Sequence, residues 1–327
     1  MKILLTGCAG FVGWKTAELL LRDGHEVVGL DNLNAYYPPA LKRWRVEQLE
    51  GLGGDGFRFV EGDLLDNELL GRLFGETAFD GVINLAARAG VRPSIEQPGL
   101  YVATNLSGAV ALMEQMVAHG VDKLVLASTS SIYAGQPAPF REDQPVDRPL
   151  SPYAASKKAA EVMAWTFHHL HGLDVSIVRY FTVYGPAGRP DMSPLKFTHR
   201  IASGRPFPLY GDGEQRRDFT YIDDIARGTI AALAPLGYEI INLGGGNEPI
   251  SINAMIALLE RFTGKAARIE RHPWNEADMR DTAADISKAA RLLGWQPEVA
   301  PEEGLKALAD WYLAEASWLD PVLSTRE

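Results

Sequence analysis

Lys2-Ile3-Leu4-Leu5-Thr6-Gly7-Cys8-Ala9-Gly10-Phe11-Val12-Gly13 stands almost at the start of the chain and decides how the rest is read. The apolar run predicts a buried parallel strand, and the residues that follow predict an amphipathic helix to about Asp23. Between them the glycines fall at Gly-x-x-Gly-x-x-Gly spacing. Without side chains at Gly7, Gly10 and Gly13 the backbone can turn tightly and approach a pyrophosphate at the helix N-terminus. A glycine-rich turn alone is ambiguous, so the next strand carries weight. Glu26-Val27-Val28-Gly29-Leu30 ends in Asp31, where an acidic residue binds the ribose hydroxyls of an adenosine. A carboxylate there repels a 2'-phosphate, which predicts NAD rather than NADP.

Strand and helix patterns continue to alternate. Phe57–Val60 leads to Glu61-Gly62-Asp63-Leu64, and Gly81–Leu85 leads to Ala86-Ala87; both loops belong at the carboxyl edge of a parallel sheet. Lys123–Ala127 and Val175–Tyr180 are further strands. The fold expected is α/β: a Rossmann-type doubly wound parallel sheet over residues 1–180, with ligands at the carboxyl ends of its strands. After Tyr180 the texture changes, with Pro186, Pro190, Pro194, Pro206 and Pro208 close together. Residues 181–327 are read as a smaller C-terminal α/β substrate domain, from which a segment at about 219–243 returns to the Rossmann domain. Ile252–Phe262 and Pro301–Glu315 are expected to be helical, and the cleft between the two parts is the expected active site.

At 327 residues, 46% of them hydrophobic and 23% charged, the chain can bury a full core. A net charge of -10 argues against nucleic acid or an anionic membrane as partner. Cys8 is the only cysteine, so no internal disulfide can form and a reducing cytoplasm is the expected location. No apolar run reaches membrane-spanning length, and no metal site is expected.

The chemistry is expected in Ser151-Pro152-Tyr153-Ala154-Ala155-Ser156-Lys157. Ser151 suits an N-cap and Pro152 the first helical position, predicting a helix to about Leu170. Tyr153 and Lys157, four apart, then share a face. A tyrosine hydroxyl working near neutrality needs its pKa of about 10 lowered by roughly three units, or about 4 kcal/mol. One cation about 4 Å away in a partly buried site is worth about that much, which gives Lys157, helped by a positive nicotinamide, a reason to be there.

Thr6-Gly7-x-x-Gly10-Phe11-Val12-Gly13, Asp31-Asn32-Leu33, Gly62-Asp63-Leu64, Asn84-Leu85-Ala86-Ala87, Tyr153-x-x-x-Lys157 and Arg217-Asp218-Phe219 occur in this order. Together they resemble the extended short-chain dehydrogenase/reductase family, specifically its nucleotide-sugar epimerases, over nearly the whole chain. Phe181-Thr182-Val183-Tyr184-Gly185-Pro186-Ala187-Gly188-Arg189-Pro190-Asp191-Met192, with Asn34-Ala35-Tyr36-Tyr37 and Ala89-Gly90-Val91-Arg92, looks more narrowly like the UDP-glucuronate 4-epimerases.

The resemblance implies an NAD-dependent enzyme converting UDP-glucuronate to UDP-galacturonate through a 4-keto sugar. It implies Thr129, Tyr153 and Lys157 as catalytic residues. For the cofactor it implies Gly7, Gly10, Phe11, Val12, Gly13, Asp31, Asn32, Asp63, Leu64, Leu85, Ala86, Ala87, Asn105 and Tyr180 together with Tyr153 and Lys157. For the substrate it implies Arg92, Ser130, Ser131, Thr182, Arg189, Pro208, Tyr210, Arg217 and Asp278. The planar fork of Arg189 suits a sugar carboxylate. An arginine that often precedes Asp278 by three residues is Asn275 here, leaving Arg271 and Arg280 as candidates for that phosphate contact. Alternatives are a UDP-glucose/UDP-galactose 4-epimerase, a UDP-glucuronate decarboxylase, which would carry an acidic residue after Thr129, and a non-catalytic nucleotide-sensing module. A homodimer is expected by the same resemblance.

Overall fold

Seven strands lie side by side in the computed structural model, which describes residues 1–246, 249–274 and 280–324. They are Lys2–Thr6 (β1), Glu26–Asp31 (β2), Phe57–Glu61 (β3), Gly81–Asn84 (β4), Lys123–Thr129 (β5), Asp174–Tyr180 (β6) and Tyr238–Leu243 (β7). Their order is β7-β6-β5-β4-β1-β2-β3, and every pairing is parallel. The order runs one way from β1 and the other way from β4. The crevice outside their carboxyl ends is therefore the switch point where ligands bind in open α/β sheets.

Side chains alternate between the faces, and both faces are buried. Leu4, Val28, Val82, Leu124 and Val175 pack with Leu70 and Leu73 of Asn67–Glu76 (α3), Leu112 and Met116 of Gly108–His119 (α4), and Ala160 and Ala164 of Pro152–His171 (α5). Ile3, Leu5, Val27, Ile83, Val125 and Val178 pack on the other side. There they meet Trp14, Ala17 and Leu20 of Phe11–Arg22 (α1), Leu49 of Pro39–Gly53 (α2), and Ile225 of Ile222–Ala231. A parallel sheet needs this two-sided cover, and it explains the near-continuous apolar strands.

A separate apolar cluster gathers Leu195, Phe197, Phe207, Phe219, Met255, Leu259, Leu308 and Tyr312 from Ser193–Ala202, Ile252–Thr263, Pro301–Ser324 and the short strands between them. Those strands form two-stranded ladders, such as Pro206–Tyr210 with Arg268–His272.

Two elements run past their predicted ends. β5 continues through Ser128 and Thr129 because it stays paired with β6 as far as Tyr180, and tertiary pairing carries two hydroxyl residues that read as loop. The last helix reaches Ser324 although Pro321 lies inside it, since buried Leu319 and Leu323 anchor its final turns in the core. Among the described residues no helix is long and apolar enough to cross a membrane.

Candidate active site

The glycine loop is held by its own backbone. Gly7, at φ +73°, donates from its N–H to Leu30 O at 2.7 Å, and Gly10 N–H donates to Gly7 O at 2.9 Å. A Cβ on Gly13 would lie 2.0 Å from Gly7 O, so α1 can pack against the loop only without one. The first turn of α1 has no side-chain cap, and Phe11, Val12 and Gly13 face a cavity of about 750 Å³. An uncapped helix start beside a side-chain-free loop suits a pyrophosphate. Thr6 Oγ1 donates to Asn84 Oδ1 at 2.7 Å and accepts from Ala86 N–H, tying the two strand ends that flank the switch point. Asp31, at the end of β2, accepts from Leu33 N–H at 2.8 Å, while Asn32 Nδ2 donates to Asp63 Oδ2 at 2.6 Å. These interactions bring Asp31, Asn32, Asp63, Leu64, Leu85, Ala86 and Ala87 to one end of the cavity.

Thr129, Tyr153, Lys157 and Tyr180 line the same cavity further along. Ser151 Oγ accepts from Ala154 N–H at 3.2 Å, so the predicted cap starts α5 and fixes the Tyr153 turn. Burial pushes the Tyr153 phenol above its ordinary value, while its hydrogen bond with Thr129 and the charge of Arg189 pull it back. The lowering expected from Lys157 is absent from this balance. Burial also brings the Lys157 ammonium down to about 8, against the opposing field of Glu161. Desolvation penalises both charged forms.

Ser130, Ser131, Thr182, Arg189 and Arg217 line the remaining wall. Arg189 uses two edges of its fork on Asp191, Nε to Oδ1 at 3.1 Å and Nη2 to Oδ2 at 2.6 Å, and lies over the Tyr36 ring at 5.6 Å. Part of the fork that suits a sugar carboxylate is thus already engaged. Buried Arg45 of α2 donates to the carbonyls of Ala9, Ala187 and Gly188 and to the Tyr37 hydroxyl, holding the Arg189 loop against the glycine loop.

Comparison with known proteins places this geometry. The NAD dependent epimerase/dehydratase family matches residues 3–244. This chain belongs to that family. It is 56% identical over 308 residues to a UDP-glucuronate 4-epimerase of Thermodesulfobacterium geofontis, covering 94% of this chain and 95% of the relative. A crystal structure of the UDP-glucuronic acid 4-epimerase of Bacillus cereus with UDP-glucuronic acid and NAD superposes with a TM-score of 0.89. It is 37% identical and covers 96% of this chain and 100% of that one. The UDP-glucose 4-epimerase of Thermotoga maritima with UDP-glucose superposes at 0.86 with 31% identity, covering 97% and 100%.

For a member of this family the cofactor is NAD, and the cradle fits it. Gly13→Ala should abolish NAD retention through purification while a weakened fold survives, because the new methyl collides with Gly7 O; the nucleotide released on denaturation measures it.

Several residues named from sequence lie elsewhere. Asn105 does not reach the cavity: its side chain bonds the Arg88 backbone at both ends, 2.8 and 2.9 Å, and donates to Ser156 Oγ at 2.9 Å. It positions the loop after β4 against α5. Pro208, Tyr210 and Arg92 are also outside the cavity lining, with the Arg92 guanidinium 5.0 Å from the Tyr210 ring centre. Arg217, which does line the cavity, also donates from Nη1 to the carbonyls of Arg216 and Arg280. Arg271 Nη1 donates to Asp212 O at 3.3 Å, and Arg280 lies over Trp274. Asp278 and Asn275 fall outside the described residues. Lys42 and Tyr36 line the cavity and were missed. Lys42 is 3.8 Å from Asp31, and its only signal was a lysine on the helix after the Asp31 loop.

Proposed function

We propose that this protein interconverts UDP-glucuronate and UDP-galacturonate by oxidising and re-reducing C4 of the sugar. The reading is carried by Tyr153, with Thr129 bonded to it, sharing one cavity with Arg189. NAD, when bound, supplies the two-electron oxidation and reduction of C4 and a formal positive charge. Tyr153 takes the proton of the C4 hydroxyl as the ketone forms and returns it when the opposite configuration is made. Thr129 orients the phenol, and the Lys157 ammonium binds the nicotinamide ribose and favours the phenolate once that ribose is in place, a contribution the protein alone does not show. Between the two proton transfers the keto sugar must present its other face, so the nucleotide stays gripped while the hexose turns.

With a uronate the intermediate is a β-keto acid. Loss of carbon dioxide requires the breaking carbon–carbon bond to align with the ketone π system. Arg189, Thr182, Ser130 and Ser131 hold the carboxylate out of that alignment, a use of binding energy for geometry. Arg217 and Asp278 serve the UDP end. Incubating the purified protein with UDP-glucuronate and no added NAD, then identifying the sugar, tests the reading: UDP-galacturonate supports it. Turnover confined to UDP-glucose would replace it with the neutral-sugar epimerase.

The protein acts in a reducing cytoplasm, with residues 1–180 and the 219–243 return segment binding NAD and 181–327 the nucleotide sugar. It works as a homodimer through α4 and α5, whose Val117, Val162, Trp165 and Leu170 are exposed apolar side chains. Trp165→Glu should shift the sedimentation coefficient from dimer to monomer.

A further inference from the structure

Behind the Tyr153–Lys157 turn lies a charged group that the chemistry above does not use. Glu161 sits one helical turn after Lys157 on α5, and its side chain is 1% exposed. Arg179, equally buried on β6, clamps it with Nε to Oε1 at 2.9 Å and Nη2 to Oε2 at 2.8 Å. Ser128 of β5, at the cavity wall, donates to Oε1 at 2.6 Å, and Lys158 approaches Oε2 at 3.3 Å from the outer side of α5. Arg179 Nη1 donates to the Tyr133 hydroxyl at 2.7 Å, which donates in turn to Asn242 Oδ1 at 2.8 Å on β7. The carboxylate is therefore fixed from three elements.

Stability does not explain such a group. A buried ion pair roughly offsets its own desolvation, and apolar residues of similar volume often do as well. Its position does explain it. Lys157 shares a helix face with Tyr153 and Glu161, each four residues away, and lines the cavity with Ser128, Thr129 and Arg189, while Arg179 reaches this set through Glu161. Tyr153, as phenolate, and Glu161 are the groups in this set that carry negative charge, and Tyr153 is a phenol for part of each turnover. We propose that Glu161, clamped by Arg179, is a positioning residue that keeps Lys157 in its ammonium form throughout the cycle.

The sign follows from linkage. Removing Glu161 leaves burial unopposed, so Lys157 gives up its proton at lower pH than its present value of about 8. Where Lys157 is protonated in both proteins, turnover is unaffected; above that range the variant falls behind. The inference rests on the Lys157 role given above, and its test reads the lysine directly.

In the NAD-loaded enzyme carrying isotope-labelled lysine, the Cε shift of Lys157 is followed against pH by NMR. Glu161→Gln should lower the midpoint by about one unit. Its turnover relative to the parent should be near one at about pH 6 and about one-tenth above pH 8. Glu161→Gln with Arg179→Met removes the stranded cation, protects the fold, and should lower the midpoint by less than the single change. A midpoint unmoved in the folded double variant, or a deficit equal at all pH values, would overturn the proposal. Failure of the parent to turn over UDP-glucuronate would instead count against the proposed function and leave the midpoint comparison intact.

Discussion

Tyr153→Phe should cut epimerisation by about 10² to 10⁴-fold while NAD stays bound and the melting temperature holds near that of the parent. In the proposed mechanism the phenol is the proton acceptor at C4 and Lys157 acts electrostatically, while the Tyr180 hydroxyl in the same part of the cavity is engaged with Thr229. Removing the hydroxyl costs little in stability. Its partner Thr129 Oγ1 still accepts from Ser131 N–H at 3.1 Å, so no buried polar atom is stranded. The ring keeps its edge-on contact with Tyr101, centroids 6.2 Å apart. Conversion of UDP-glucuronate, followed chromatographically beside a thermal melt, separates the two effects. Activity within tenfold of the parent would remove Tyr153 from the chemistry.

The Tyr153 result also bears on why the site is only partly legible in sequence. The glycine loop, Asp31 and the Tyr/Lys turn were readable because each is set by local chemistry: a turn that excludes Cβ, a strand end, a helical period of 3.6. The sheet was readable because parallel strands buried on both faces are continuous apolar runs. The electrostatic balance at Tyr153 was not readable. It depends on how far burial penalises a phenolate and an ammonium, and on which distant residues face them. Arg189, bonded to neighbouring Asp191, pulls on Tyr153 from another loop.

Asn105 shows the same limit from the other side. It was named as a cofactor contact, and its amide also closes a backbone clamp on Arg88 that spacing did not show, because an amide presents donor and acceptor equally well to a peptide group or to a ligand. Spacing fixes where such a side chain begins, and only the fold fixes what it meets. Arg45 was missed for that reason: three of its four bonded partners are carbonyls of loops far apart in sequence.

Arg189→Ala should slow UDP-glucuronate turnover by about 10 to 100-fold, as expected for loss of a charge-assisted hydrogen bond worth about 1.5–3 kcal/mol. Part of the remaining flux should leave as a pentose lighter by one carbon dioxide. The protein tolerates the change because Asp191, the partner left behind, is 36% exposed and can be hydrated. Two edges of the Arg189 fork face Asp191, so in the proposed function the substrate carboxylate would meet the remaining N–H groups of a guanidinium already held in place. Such a group binds less by raw attraction than by direction. Direction is what a β-keto acid needs, since rotation of the carboxylate toward the ketone π system permits its loss. Mass analysis of the products distinguishes the cases: slowed turnover with only hexuronates formed would leave Arg189 a binding residue, and unchanged turnover with no pentose would remove it from carboxylate recognition. UDP-glucose, which has no carboxylate to misalign, should lose less and give no decarboxylated product, its share of the loss coming from the weaker pull on the Tyr153 phenol.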